Sequence, residues 1–343
     1  MRIHPDFSYN GIAANEIIQW KRGDFADWEQ PIWQFMHDWL TEGDTIQVQT
    51  SGSSGQPTVW QVKKSAMETS AEMTANYFKR FNRTTALLTL PSVYIAGKMM
   101  MVRAMTQGWT LTAIAPSVNP LMAVNQAFDF AAFTPMQLAT LSEEQWAVLA
   151  KFGTVIVGGA AIPESLRTRL AERCNNVFET YGMAETLSHI AVRKVSPQNT
   201  PFETLKGISL TVDSEQRLQI LAPYISPEFI QTQDVVQLLN PTSFFYQGRF
   251  DRMINSGGVK LFAEVIEKKL EGIMNQPFHI SSLPDEVLGR RLVLYIESET
   301  ELDEGKLKAQ IAPVLERYEV PKEIIAVKSF ERTSSGKIKQ IRN

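Results

Sequence analysis

Between Thr50 and Gly55 the chain sets four hydroxyl side chains and two glycines in six residues, Thr50-Ser51-Gly52-Ser53-Ser54-Gly55. Glycines let several backbone N–H groups converge, and the hydroxyls add donors, so the stretch suits an anion. It is not the G-x-x-x-x-G-K-[ST] phosphate loop, because the lysine is missing and no helix opens at once. Its composition also suits a flexible Ser/Gly linker. A second stretch, Gly248 to Lys260, carries four charged residues and three glycines. Ser256-Gly257-Gly258 within it is turn chemistry, which admits positive φ and a close backbone approach. Taken alone, that stretch is either a solvated hairpin loop or a place where a ligand meets backbone. Gly158-Gly159-Ala160-Ala161 and Tyr181-Gly182-Met183-Ala184-Glu185-Thr186 each follow a short apolar run. Glu185 is either a helix N-terminal charge favoured by the dipole or a cation ligand.

These stretches need elements to hold them. Thr45–Gln49 alternates as a strand and feeds the hydroxyl loop, and Thr58–Lys63 is extended beyond it. Ser65-Ala66-Met67-Glu68 predicts a capping box for a helix through Phe81. Leu87–Pro91 predicts a buried strand, then a turn with Tyr94 and Gly97, then a helix over Lys98–Gly108. Ser142-Glu143-Glu144-Gln145 caps another helix. Thr154–Val157 and Asn176–Glu179 predict strands that end at the two glycine-bearing turns. Strand, glycine turn and helix recurring in this way predict α/β layers, with a nucleotide at the carboxyl ends of the strands. Ahead of all this, Ile32, Phe35, Met36 and Trp39 fit one helix face, a packed N-terminal cap. Residues 187–247 are β-rich. Gly207–Val212 and Arg217–Leu221 form a hairpin about Asp213-Ser214-Glu215, and Thr232-Gln233-Asp234 precedes a strand over Val235–Leu239. Residues 262–343 read as a small α+β module: helix 262–273, strand Arg291–Ile296, helix Glu304–Arg317, strand Glu323–Val327.

The bulk properties exclude several function classes. A net charge of −3 gives no reason to expect nucleic acid or an anionic membrane. Cys174 is the only cysteine, so no intrachain disulfide forms, which fits a reducing compartment. The N-terminus lacks the apolar core of a signal peptide, and no apolar run reaches a membrane span, so the expectation is a cytoplasmic protein. Four histidines and one cysteine show no zinc spacing. His189, in an apolar run, is either packed core or a site residue.

Thr50–Pro57, Tyr181–Glu185, Thr232–Asp234, Gly248–Lys260 and Thr333–Ile338 occur in one order, and together they resemble the adenylate-forming superfamily of acyl-CoA synthetases, luciferases and peptide-synthetase adenylation domains. Leu90–Met100, Glu185–Ala191 and Gln231–Val236 are similar, within it, to the short o-succinylbenzoate–CoA ligases of menaquinone synthesis. The resemblance implies an α/β fold: a large N-terminal layered domain over residues 1–250, shortened at its N-terminus, and a small C-terminal α+β lid over 251–343. It implies a cytoplasmic ATP-, Mg²⁺- and coenzyme A-dependent acid–thiol ligase acting on a small carboxylic acid.

Roles are implied residue by residue. Thr50, Ser51, Gly52, Ser53, Ser54 and Gly55 would hold the ATP phosphates. Gly158, Gly159, Ala160, Tyr181 and Gly182 would border the adenine. Asp234 and Arg249 would hold the ribose, and Glu185 the Mg²⁺. Asp251 would be the hinge, and Gly257, Gly258 and Lys260 would line the coenzyme A channel. Tyr94, Gly97, Ser188 and His189 would face the acid, and Lys337 would bridge its carboxylate and the α-phosphate. A second carboxylate on the acid would need a donor from Lys98, Arg103, Ser188 or Arg193. The chain departs from the family pattern at Thr58, Ala184, Gln233 and Glu331, where lysine, threonine, glycine and proline are usual. Thr58 and Ala184 also leave open a protein that binds a nucleotide or acyl adenylate without turnover.

Overall fold

The computed structural model describes residues 3–332 and 338, apart from 18, 22, 24, 42 and 50–58. By packing, the chain divides into two compact units: Met1–Ile162 with Leu166–Ser209 and Ile220–Ile230, and Pro163–Ser165 with Leu210–Gln219 and Gln231–Asn343.

The first unit opens with β1 (Ser8–Tyr9), β2 (Ile12–Ala13), α1 (Ala14–Ile17) and α2 (Gln30–Leu40). Ile32, Phe35, Met36 and Trp39 form the buried face of α2, as their spacing requires. Next come β3 (Thr45–Gln49), β4 (Val59–Lys63) and α3 (Lys64–Phe78). The capping box expected at Ser65 does not form, because β4 pairs with β3 up to Thr45↔Lys63 and runs straight into α3. Lys64, 1% exposed, sends its ammonium to the carbonyls of Asp38, Trp39 and Thr41 at 2.8, 3.1 and 3.1 Å. It thereby caps the C-terminus of α2, where carbonyls lack intrahelical partners.

The layered core follows: β5 (Thr85–Leu88), α4 (Ile95–Gln107), β6 (Thr110–Ala113), β7 (Phe130–Phe133), α5 (Pro135–Ala139), α6 (Glu143–Leu149), β8 (Val155–Val157), α7 (Glu164–Arg173), β9 (Val177–Gly182), β10 (His189–Lys194) and β11 (Phe202–Thr204). The strand order is β11-β10-β9-β8-β7-β5-β6-β1-β2. From β9 to β1 neighbours are parallel, while β10, β11 and β2 pair antiparallel. Every residue of β7 and β8 is buried, as expected of parallel strands covered on both faces. Ser142 forms its capping box with Gln145. α4 begins three residues earlier than its expected start at Lys98, since Tyr94 is already the extended residue before the first turn.

The second unit carries β12 (Ser209–Val212), β13 (Arg217–Leu221), β14 (Ile230–Asn240) and β15 (Ser243–Arg249), in that spatial order. Thr232–Asp234 therefore lie inside a strand rather than before it: the β14–β15 ladder extends to Asp234↔Arg249. The stretch Gly248–Lys260 is not one loop. It holds the end of β15, a 3₁₀ turn at Phe250–Arg252, and the hairpin of β16 (Met253–Ser256) and β17 (Val259–Phe262). Then come α8 (Ala263–Leu270), β18 (Phe278–Asp285), β19 (Gly289–Glu297), α9 (Glu304–Ile311) and β20 (Glu323–Val327). β18 escaped the sequence analysis, and α9 stops before Ala312-Pro313-Val314, which form a 3₁₀ turn. The expected division at 250/251 concerns a hinge, which a division by packing does not address. Asp251 sits in the 3₁₀ turn between β15 and β16, inside the second unit.

Candidate active site

Because β5, β7, β8 and β9 are parallel, the loops after them leave from one edge of the sheet. Tyr94 and Gly97 follow β5. Gly158, Gly159 and Ala160 follow β8. Tyr181 and Gly182 close β9, and the return at Ser188 and His189 opens β10, with His189 opposite Gly182. This is the edge where open α/β sheets bind ligands. The loops after β8 and β9 touch: Thr180 Oγ1 donates to Val157 O at 3.1 Å and lies against Gly158. Gly159, Ala160 and Gly182 are exposed and Tyr181 half-buried. A Cβ at Gly182 would stand 2.4 Å from Ser188 O, so only glycine lets β9 and the next turn approach so closely. Tyr94 is exposed, whereas Gly97 is buried beneath the Pro91 turn.

Glu185 is the middle residue of a 3₁₀ turn, Ala184–Thr186. Its carboxylate is exposed and has no hydrogen bond or ion pair among the described residues. Beneath it the turn is densely bonded. Thr186, fully buried, accepts from Met183 N at 2.9 Å through Oγ1. Ser188 N donates to Thr186 O at 2.8 Å. Leu187 between them has φ 66° and ψ −39°. That is a γ-turn of the positive-φ kind, which costs a non-glycine residue roughly 1–3 kcal/mol. Tyr224 OH donates to Thr186 O at 3.4 Å.

Behind this turn lies a directed polar relay. Thr74 Oγ1 donates to Ser70 O at 3.1 Å, so it accepts from His189 Nε2 at 3.3 Å. His189 Nδ1 then accepts from the Ser188 hydroxyl at 3.4 Å, and Ser188 Oγ accepts from Arg103 Nη2. That order makes the imidazole neutral with its proton on Nε2. Burial, then the Arg103 charge, holds His189 well below the usual histidine pKa. Arg103 is 2% exposed, its Nε meets no acceptor, and no carboxylate pairs with it among the described residues. Burial pulls its pKa down to about 10, against a smaller opposing pull from Tyr224.

The other three candidate donors separate on geometry. Arg193 is committed: its Nε bonds Glu179 Oε2 at 2.7 Å, and its Nη1 reaches Asn199 and Thr200. Lys98 donates to Gln47 O at 3.2 Å over the Phe35 ring, and burial lowers its pKa. Ser188 stands in the relay. Glu179 was missed by the sequence analysis. It is buried between Arg167, at 2.6 Å, and Arg193, and it also accepts from Ile162 N at 3.4 Å, fastening the loop after β8. Its signal was available, since a carboxylate at an inward position of a strand must be paired.

In the second unit, Arg249 makes a two-pronged pair with Asp251 at 2.9 and 2.9 Å, and its Nη1 lies 3.8 Å from Asp234. Gly257 and Gly258, at φ 59° and 85°, are the two central residues of the β16–β17 hairpin, where both must take positive φ. Lys260 is exposed on β17. Thr50, Ser51, Gly52, Ser53, Ser54, Gly55 and Lys337 lie outside the described residues. The strands flanking the hydroxyl stretch pair as far as Gln49↔Val59. Among the described residues no three His, Cys, Asp or Glu side chains cluster to hold a metal, and no helix is long and apolar enough to cross a membrane.

Comparisons with known proteins bear on the family and the fold. The family model described as AMP-binding enzyme matches residues 11–221, more than half of the chain. A 2-succinylbenzoate–CoA ligase of Listeria monocytogenes is 21% identical over 96% of this chain and 74% of its own. Of further curated relatives with that name, from Staphylococcus, the chain spans about 58–60% of the length. Among solved structures, an acyl-CoA synthetase (AMP-forming)/AMP-acid ligase II-like protein from Dyadobacter fermentans is 32% identical, with a TM-score of 0.64 over 94% of this chain and 95% of that one. An o-succinylbenzoate coenzyme A synthetase from Bacillus subtilis, in complex with ATP and magnesium ion, has a TM-score of 0.70 at 18% identity, over 85% of this chain and 68% of that one. The mixed α/β architecture is thus that of the adenylate-forming enzymes, and the chain belongs to the AMP-binding enzyme family.

Proposed function

We propose that this protein activates a dianionic carboxylic acid, o-succinylbenzoate, as its acyl adenylate and passes the acyl group to coenzyme A. The observation that carries the choice of acid is Arg103. A buried guanidinium that meets no carboxylate among the described residues is costly, and a substrate carboxylate would supply the opposite charge. O-succinylbenzoate has two carboxylates, one to be activated and one for Arg103.

In the first half-reaction the carboxylate attacks the α-phosphorus and pyrophosphate leaves. Thr50–Gly55 would hold the departing phosphates, and Gly158–Ala160 with Tyr181 and Gly182 the adenine. Asp234 and Arg249 would hold the ribose. Magnesium neutralises phosphate charge when bound. Glu185 fits it, because an ion that shares phosphates and water needs only one or two protein carboxylates. Lys337 would offset charge at the pentacoordinate phosphorus. In the second, the coenzyme A thiolate attacks the acyl carbonyl and AMP leaves. Rotation at Asp251 would withdraw Lys337 and bring Gly257, Gly258 and Lys260 to the pantetheine path. The single cysteine, Cys174, accords with a cytoplasmic enzyme.

The test is pyrophosphate release from ATP with o-succinylbenzoate and no coenzyme A, repeated with an analogue lacking the aryl carboxylate. The analogue should be disfavoured by about 10²-fold or more in kcat/KM. Lys337→Ala should slow release by about 10²–10³-fold. Equal use of both acids would indicate another aryl or fatty acid. Nucleotide binding with no release from any acid would indicate a protein without turnover.

A further inference from the structure

The return between β9 and β10 is built more elaborately than a reversal requires. Leu187 is held at positive φ although it is a buried leucine, 3% exposed, and not a glycine. The γ-turn stays closed because its carbonyl, Thr186 O, accepts twice: from Ser188 N at 2.8 Å and from Tyr224 OH at 3.4 Å. Thr186 Oγ1 braces the other side through Met183 N. Tyr224 comes from the segment after β13 and packs on the N-terminal core. What this buried framework presents outward is one carboxylate, Glu185, with no partner among the described residues. Strain kept in a buried turn and spent on the direction of one exposed acid marks a positioning device.

We propose that Tyr224 is a positioning residue for the reaction: through the Thr186 carbonyl it keeps the strained turn closed and so aims the Glu185 carboxylate at the divalent cation that accompanies the nucleotide. The proposal rests on the assignment of Glu185 as the metal-binding residue. In this role Tyr224 acts through the Thr186 carbonyl and not by contact with the cation. Its loss should let the turn relax and leave Glu185 present but misdirected, as with outer groups that orient metal ligands.

The test uses Mn²⁺ as the probe, titrated into the protein with ATP and no acid, with the loss of the free Mn²⁺ electron paramagnetic resonance read against the same ATP without protein. Tyr224→Phe, which removes only the hydroxyl, should weaken Mn²⁺ retention about fivefold or more while the thermal midpoint stays in place. Thr186→Val, which removes the opposite brace, should do the same. In a Glu185→Gln background Tyr224→Phe should add nothing, since it acts through that carboxylate. Mn²⁺ retention by Tyr224→Phe equal to wild type would overturn the proposal, as would a loss of the same size in the Glu185→Gln background or no Mn²⁺ retention by wild type. Normal retention by wild type, weakened in Tyr224→Phe, together with no pyrophosphate from any acid, would uphold the positioning role and overturn the ligase function instead.

Discussion

Glu179→Gln should be among the most damaging isosteric changes in the first unit. The carboxylate is 6% exposed at its side chain and lies 2.6 Å from Arg167 and 2.7 Å from Arg193, whose side chains are 7% and 11% exposed. Glutamine keeps the volume but leaves two buried guanidiniums facing a neutral amide. Breaking a buried pair in this way costs about 3–5 kcal/mol. Arg193 keeps its bonds to Asn199 and Thr200 and its place over the Phe202 ring at 4.3 Å, which favours the lower end, about 3 kcal/mol. At about 2–4 °C per kcal/mol for a unit of this size, the thermal midpoint should fall by roughly 6–12 °C. The pH dependence is a second, independent check. Burial alone would raise the Glu179 pKa, but Arg193 and Arg167 outweigh it and hold the carboxyl below the usual glutamate range. A depressed carboxyl stabilises the fold above its unfolded pKa, near 4.3, and that stability is lost as pH falls through the folded value. The gap between wild type and Glu179→Gln, full at pH 7, should therefore close below about pH 4.3. Differential scanning at pH 7, 4 and 3 measures both effects, the last two falling inside the window where the carboxyl protonates. A midpoint within about 2 °C of wild type at pH 7, or a gap constant with pH, would refute the argument.

Lys64→Met should cost about 2–4 kcal/mol in thermal or urea unfolding, because three carbonyls at the end of α2 lose their donor at once. Gly182→Ala places a methyl 2.4 Å from Ser188 O; it should destabilise by about 1–3 kcal/mol and, by displacing Ser188, raise KM for the acid in pyrophosphate release. His189 is held neutral in the fold, so protonating it costs stability as pH drops below its unfolded pKa of about 6.5, by up to about 1.4 kcal/mol per pH unit. Replacing it in His189→Asn should flatten the fall in unfolding free energy between pH 6.5 and 5; an unchanged slope would count against a buried neutral imidazole.

Local chemistry was enough for many of the elements and for the family, though not for β18. The amphipathic face of α2, the capping box at Ser142 and the strand at Glu323–Val327 depend on neighbours a few residues away, and those are visible in the chain itself. The glycine-bearing turns after β8 and β9 were visible for the same reason. Boundaries set by partners were not: whether Asp234 is inside a strand depends on Arg249 pairing with it, and the missing cap at Ser65 depends on β3 holding β4 extended through Lys63.

What only the tertiary structure decided is which charges are satisfied. Lys98, Arg103 and Arg193 are equivalent as letters. In the fold Arg193 is neutralised by Glu179, Lys98 rests on a backbone carbonyl and an aromatic face, and Arg103 is buried beside a neutral serine and histidine. The reason is electrostatic. The free energy of a charge depends on its distance to partners and to water, and both are set by segments far apart in sequence: Thr74 on α3, Arg103 on α4, Ser188 and His189 at β10, Tyr224 beyond β13. The chain by itself determined that an acidic residue follows Tyr181-Gly182-Met183-Ala184. The strain at Leu187 and the bonds beneath it, which turn that acid outward, arise only when those segments meet.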